Sequence, residues 1–302
     1  MIEQGRGHVS DGTDGQPSES PPVRVLCEAL DVSKSAFYHW HSRTEATRAI
    51  EDRRFTVEIR AVHRESRRTY GARRVHAELR ARGIACGRHR IGRLMREAGL
   101  EARGPKRRTP KQSSSTPLTP VADNVLDRAF EPDTPNRVWA CDITYIPTDE
   151  GWLYLAVVVD LFSRRIVGWA MRPSLGRELA VSALRSALRD RRPPSGLLHH
   201  SDQGSQYTSS EYRALLRSHE VTCSMSRRGN CHDNAPIESF FGSLKTECVR
   251  GERLQNHTQA RTLIFDYLTF YNQRRRHSTL GYLSPAEYEE RYSIQQATRL
   301  AA

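Results

Sequence analysis

The sequence predicts an α/β fold: a mixed five-stranded sheet flanked by helices, preceded by an N-terminal all-α, helix-turn-helix region. Three observations carry that expectation. Between residues 137 and 171, three runs rich in β-branched and aromatic residues are separated by short turns, the pattern of an antiparallel meander. From 177 to 225, helical periodicity alternates with two short apolar runs, which adds strands to the same sheet. Residues 1–120 hold 24 Lys and Arg against 14 Asp and Glu, whereas the remainder holds 23 against 21. The basic footprint therefore belongs to the helical third.

Residues 1–22 are rich in Gly, Ser, Asp and Pro and are expected to be disordered. Val23 to Trp40 reads as two short helices, with Leu26, Ala29 and Leu30 on one face of the first. Asp31 and Val32 form the turn, and Ser33 caps the second helix. This is helix-turn-helix spacing, with Asp31 in place of the usual turn glycine. Tyr38 and Trp40 read equally as packing residues. A charged helix over 48–66 ends at Thr69-Tyr70-Gly71. Ala72 to Arg82 turns Val75 and Leu79 inward, and Arg88 to Ala98 turns Ile91, Leu94 and Met95 inward. Arg73, Arg74, Arg80, Arg88, Arg90 and Arg93 line the outer faces. Residues 41–111 carry 21 basic and 8 acidic residues, which favours a second DNA-binding module over a merely solvated bundle. The DNA-binding region thus spans 23–103. A basic, Pro- and Ser-rich linker follows over 104–123, beginning with Lys106, Arg107, Arg108 and Lys111.

The domain built on the sheet is expected over 124–290, with a tail over 291–302. Its strands are Arg137 to Ile146, Trp152 to Asp160, Arg164 to Met171, Gly196 to Ser201 and Val221 to Met225. Its helices are Arg177 to Arg189, Ser209 to Ser218, a stretch opening at Asp233, and His257 to about Gln273. In the Asp233 stretch, Asn234 suits an N-cap and Pro236 suits the first turn, where a missing N–H costs nothing. Ile237, Phe240, Phe241, Leu244 and Cys248 recur at helical spacing and face a core. Glu238, Gly242 and Lys245 share another stripe, since seven residues make nearly two turns.

The pI of about 9.8 favours an acidic partner, with nucleic acid first. Six scattered cysteines form no Cys-x-x-Cys pair, which argues against a zinc site and a disulfide framework. No apolar run resembles a secretory signal, and the longest, Leu153 to Val159, is too short to span a bilayer. A cytoplasmic, nucleoid-associated protein with no membrane partner is expected.

Two further acids join Glu238. Asp142 interrupts the first strand, where a carboxylate is poorly placed unless paired or metal-bound. Asp202 ends the fourth strand, where ligand sites of open α/β sheets collect. Thirty-five residues separate Asp202 from Glu238. These three acids, with Lys245 seven residues beyond, resemble the Asp-Asp-Glu core of transposases and retroviral-type integrases. Trp139 to Tyr145, Gly151 to Ala156, His200-Ser201-Asp202-Gln203-Gly204, Gly229 to Phe241, Tyr271 to His277 and Leu280 to Pro285 resemble the insertion-sequence-three family of bacterial transposases, over about residues 24–290. They match its downstream-frame product, OrfB.

The resemblance implies an RNase H-like fold and a transposase that cleaves and joins insertion-element ends by two-metal phosphodiester chemistry. It implies two Mg²⁺ ions, for which Mn²⁺ can substitute, with Asp142 bridging, Asp202 on one ion and Glu238 on the other. It also implies a homo-oligomer on DNA, and the upstream-frame OrfA protein as partner or fusion. Three carboxylates would repel one another and raise one another's pKa without a cation, and Mg²⁺ takes such oxygen ligands. Lys245 is placed for a phosphate of the DNA end. Asn234 and Ser201 read as supporting residues or as ordinary caps. Asp160 reads as a turn residue bonding its loop. Arg274, Arg275, Arg276 and His277 form a basic run, with Arg274 and Arg276, like Arg73 and Arg74, taken as DNA contacts. Two alternatives stand: a hydrolytic nuclease on the same fold, which would not join strands, and a DNA-binding regulator with an inactive core, which the intact acids oppose.

Overall fold

A computed structural model describes residues 22–41, 46–104, 122–227 and 234–301. The expectations for residues 1–21 and for most of the linker lie outside the described residues. The chain divides into two compact units, Met1–Arg53 and Arg54–Ala302.

The first unit holds α1 (Val23–Ala29) and α2 (Lys34–His41). Asp31 sits in their turn with φ of 53°. Its short polar side chain tolerates the left-handed conformation that glycine more often takes. The Ser33 hydroxyl accepts a hydrogen bond from the Ala36 N–H at 3.1 Å, capping α2. The inner face of α1 differs from expectation. Cys27 is buried, while Leu26, Leu30, Tyr38 and Trp40 are exposed.

α3 (Thr47–Glu65) leads into the second unit, followed by α4 (Ala72–Ala81) and α5 (Arg88–Glu97). Ile59, Val62, Val75, Leu79, Ile91, Leu94 and Met95 form their shared core. This helical module is not separated from the core by the linker, as the sequence suggested. The Tyr70 hydroxyl donates to the Arg274 carbonyl at 3.2 Å and accepts from the Arg276 N–H at 2.7 Å. The Arg276 guanidinium reaches Glu78 at 2.8 Å. Side chains far apart in sequence make this junction, so composition could not show it.

The sheet comprises β1 (Val138–Thr148), β2 (Gly151–Asp160), β3 (Ile166–Arg172), β4 (Leu198–Ser201) and β5 (Thr222–Met225), in the order β3-β2-β1-β4-β5. The first three are antiparallel neighbours, and β4 and β5 add in parallel. On one face, Trp139, Cys141, Ala156 and Val158 pack against α6 (Arg177–Arg191), the short α7 (Ser205–Thr208) and α8 (Ser210–Ser218). α6 lies so close to β3 that a Cβ on Gly168 would fall 2.4 Å from the Ala183 carbonyl oxygen. On the other face, Ile146, Leu153, Leu155 and Val157 pack against α9 (Ala235–Leu244) and α10 (His257–Gln273). The alternating period of the strands separates these two layers.

Asp160 is structural, as its position suggested. Fully buried, it accepts hydrogen bonds from the N–H groups of Asn136 and Phe162 at 2.7 and 2.9 Å. The expected tail is a helix instead: α11 runs from Pro285 to Ala301. It has no wide apolar stripe to announce it. Glu289 anchors it from within, accepting from Ser163, Arg165 and Arg191 at 2.6 to 2.9 Å.

Candidate active site

β1 and β4 pair in parallel only as far as Ala140 opposite His200. Asp142 stands two residues further along β1, and Asp202 follows directly on the last residue of β4, so both lie at the same end of the parallel pair. Asp142 lies opposite Val157 of β2, whose side chain belongs to the layer under α9. α9 buries Ile237, Phe240, Phe241 and Leu244 and leaves Glu238 on its exposed flank. The fold thus brings all three sequence-chosen acids to one place.

Their electrostatics record the approach. The Asp142 carboxyl is pushed up to about 8, first by loss of water around it, then by the Asp202 charge and further by that of Glu238. The Ile143 N–H, donating to Asp142 Oδ1 at 2.7 Å, and the Lys245 charge oppose the shift. Burial also raises Asp202, against the Gly204 N–H donated at 2.9 Å. Among the described residues, no three His, Cys, Asp or Glu side chains converge tightly enough to hold a metal ion as they stand. The acids form a neighbourhood, not a closed cage. Mutual repulsion opposes closing it, and a hard divalent cation would relieve that repulsion. The donor set, all carboxylate oxygen, therefore fits Mg²⁺.

The loop carrying Asp202 is held by residues that sequence reasoning missed. The buried His200 ring bridges the Ser224 and Ser226 hydroxyls at 2.9 and 3.0 Å. Gln203 donates to the Ser226 carbonyl at 2.9 Å, and the Ser226 N–H donates to the Ser201 carbonyl at 2.9 Å. A Cβ on Gly204 would fall 2.9 Å from Asp202 Oδ1, so glycine keeps this backbone close to the carboxylate. The signal was the His-His pair in a short strand before the acid. Buried histidines need partners, and here those partners fix the next residues.

Ser201 is buried and donates to the Asp202 carbonyl at 3.0 Å, a strand-end bond. Asn234 stands at the N-cap but makes no side-chain cap bond. Pro236 removes an N–H such a cap could use. The Asn234 side-chain oxygen is buried with no hydrogen-bond partner. α9 widens at Lys245 into a π-helical turn, Lys245–Val249. Lys245 Nζ lies 4.8 Å from the Tyr145 ring centroid. Glu247, two residues beyond Lys245, is buried on Arg275, at 2.6 Å.

The expected DNA contacts separate. Arg73 and Arg274 are exposed. Arg74 is half-buried and pairs with Glu247 at 3.6 Å. Arg276 is corrected: only 9% exposed, its guanidinium bonds Glu78 and Glu287 and leaves no open head for DNA. Burial next to two acids, invisible in a basic run, decides this.

Residues 132–231 and 219–285 each match a family described as Integrase core domain, and residues 50–108 match an HTH-like domain. The chain is 44% identical over 268 residues to the insertion element IS600 uncharacterized 31 kDa protein of Shigella sonnei, covering 88% of this chain and 98% of that one. It is 40% identical over 272 residues to transposase InsF for insertion sequence IS3A of Escherichia coli K12, covering 89% and 94%. The chain belongs to the IS3 family of transposases. The helix-turn-helix-like match falls on α3 to α5 of this transposase, not on α1 and α2. The catalytic core of HTLV-2 integrase, in a complex with magnesium, aligns over 52% of the transposase and 98% of that chain, at 18% identity and a TM-score of 0.42. No helix among the described residues is long and apolar enough to cross a membrane.

Proposed function

We propose that this transposase cleaves and joins insertion-element ends with Asp142, Asp202 and Glu238 as its catalytic, metal-holding acids. The observation that carries the reading is Asp142, whose carboxyl is driven up to about 8 by its enclosure and by the other two acids. Such a set is costly for a fold and useful only to a cation. Asp142, Asp202 and Glu238 would together hold the Mg²⁺ ions, for which Mn²⁺ would substitute. Ions held there supply Lewis acidity and an activated oxygen nucleophile.

The chain's own residues do the rest. The His200–Ser224–Ser226 bonds hold the Asp202 loop, and the buried face of α9 fixes Glu238. Lys245 holds a phosphate of the DNA end beside the acids. Arg73 and Arg274 meet the backbone, while Arg74 acts through the pocket described below. Ser201 and Asn234 support the site from beneath. Water attacks one phosphodiester and frees a 3′-hydroxyl; that hydroxyl then attacks a target phosphodiester, so one bond forms for each one broken. The protein works in the cytoplasm, at the nucleoid, as a homo-oligomer on DNA, with the upstream-frame OrfA protein as partner or fusion.

The test incubates the protein with labelled terminal repeats and Mg²⁺, with and without chelator, and scores nicking and joining. Asp142→Asn, Asp202→Asn and Glu238→Gln should each abolish both and leave DNA binding intact. Near-normal joining by any of the three would remove that residue from the site, and nicking without joining would favour the nuclease.

A further inference from the structure

α9 has two flanks. Glu238 and Lys245 occupy one. On the other, Pro236, Ser239 and Ser243 line a cavity of about 310 Å³ with Arg74, Arg164, Arg275 and His277. Three guanidinium groups thus meet around one opening. The acid inside their reach is Glu247, and it is already engaged. Arg275 grips it at 2.6 and 2.7 Å, Tyr267 donates to it at 2.9 Å and Arg74 pairs with it at 3.6 Å. Glu131 and Asp160 act electrostatically on Arg164. Asp160, however, is occupied by the N–H groups of Asn136 and Phe162. Arg164 gives one nitrogen to the Phe130 carbonyl at 3.3 Å, and its buried Nη1 has no hydrogen-bond partner.

His277 reports the same excess. Burial comes first, then the charges of Arg275, Arg74 and Arg164, in holding its imidazole far below the ordinary range, at about 2. A cavity with surplus guanidinium, an unbonded N–H and serine hydroxyls on its wall is built for an oxyanion with several acceptor oxygens.

We propose that this cavity seats one backbone phosphate of the DNA strand, on the flank of α9 opposite Glu238. The proposal rests on the reading of the acids as the catalytic centre. It adds a second anchor about 10–12 Å away, the width of a helix with its side chains. Two anchors astride one helix would fix both the position and the direction of the strand over the acids. Arg74 comes from α4, inside the helix-turn-helix-like match, so the pocket also ties that module to the catalytic helix.

The test is phosphate-by-phosphate. Duplexes of the terminal repeats flanking the gene carry a single neutral methylphosphonate at successive positions, and the full-length protein is titrated onto each. The wild type should lose roughly tenfold in affinity at one position a few nucleotides from the cleaved bond, the scale of a charged hydrogen bond. In Arg164→Gln that position should lose its penalty, while the penalties elsewhere stay. Ser239 is exposed, so Ser239→Asp should fold and expel the phosphate by charge, whereas Ser239→Ala, which adds no charge, should keep most of the penalty at that position. If Arg164→Gln does not fold, Ser239→Asp still decides. Unchanged penalties at every position in Ser239→Asp would overturn the proposal. Wild-type joining on the unmodified duplex, run in parallel, separates that outcome from failure of the transposase reading itself.

Discussion

Two groups of acids within one unit have opposite surroundings. Glu247 and Glu289 are enclosed by cations. Arg275 and Arg74 hold the first, and Arg191 and Arg165 hold the second. Asp142, Asp202 and Glu238 lie near one another instead, and the Asp142 carboxyl rises to about 8, first through loss of water around it and then through the charges of Asp202 and Glu238. The enclosed acids tie α4, the π-turn, α6 and α11 to the sheet. An acid enclosed by arginines is structural, whereas acids gathered beside one another suit a bound cation.

The strongest way to break this contrast is Asp142→Asn. Strand joining should fall by at least about a thousandfold, the scale on which removing one member of a catalytic unit acts. Stability without metal should rise instead, by about 1–2 kcal/mol, discounted because the site is partly open to solvent. The sign follows from the raised pKa. Between the ordinary Asp value of 3.8 and about 8, the folded protein retains a proton that the unfolded chain has lost. Metal-free wild type should therefore lose stability as pH climbs through that window, and the variant should not. Thermal melts across pH, with and without Mg²⁺, measure this; a destabilised Asp142→Asn would place Asp142 among the structural acids.

Glu247→Gln should do the reverse. It leaves the Arg275 guanidinium, 4% exposed, without its counter-charge. Breaking such a pair costs about 3–5 kcal/mol, or roughly 6–15 °C in Tm for a unit of this size. Glu289 extends the comparison to acid pH. Burial works to raise its pKa, but the Arg191 and Ser163 hydrogen bonds and the Arg191 and Arg165 charges outweigh it and hold Glu289 below the ordinary 4.5. Its contribution is present above that value and is lost as pH falls through the lower folded value. Glu289→Gln should flatten the acid limb of the stability curve below about pH 4.5 and change the neutral limb less.

The sequence made the open acids far easier to read than the enclosed ones. Asp142 interrupts an apolar strand, Asp202 closes another, and Glu238 follows a proline-started helix; each is anomalous where it stands. The meander and the inward faces of α4 and α5 were legible for a related reason, since periodicity is local. Glu247 and Arg275 are 28 residues apart, and Arg191 and Glu289 are 98 apart. Pairs at that range leave no periodic trace. Without them, α11 looked like a tail, Arg276 looked like a DNA contact and the helical module looked like a separate domain. The π-helical turn was hidden too, because one wider turn barely disturbs an apolar pattern.

Lys245→Ala tests the cation beside the open acids. Its charge acts on Asp142 and its ammonium sits over Tyr145, so it belongs to the site's rim. Binding of the DNA end should weaken by about 1–3 kcal/mol, the scale of one charge-assisted hydrogen bond. Lys245→Arg should recover much of that loss, since a phosphate accepts either cation. Crosslinking to labelled ends, alongside Mg²⁺ titration, separates the roles. Intact end binding with a weakened Mg²⁺ response would mean that Lys245 serves the acids and not the DNA.

The smallest expected effect sharpens the contrast most finely, because it compares two arginines. Arg73 is exposed on α4, whereas Arg276 is 9% exposed and bonded to Glu78 and Glu287. An exposed arginine on a phosphate releases about one counterion, so Arg73→Ala should lower the slope of log affinity against log salt by about one and leave Tm nearly unchanged. Arg276→Ala should leave the slope alone and lower Tm, because it strands Glu78 and Glu287 and opens the junction that Tyr70 makes with the backbone of Arg274 and Arg276. Both effects come from removing the same side chain. Only its surroundings differ: water in one case, two carboxylates in the other. A slope change in Arg276→Ala as large as that in Arg73→Ala would show that the buried arginine meets DNA after all.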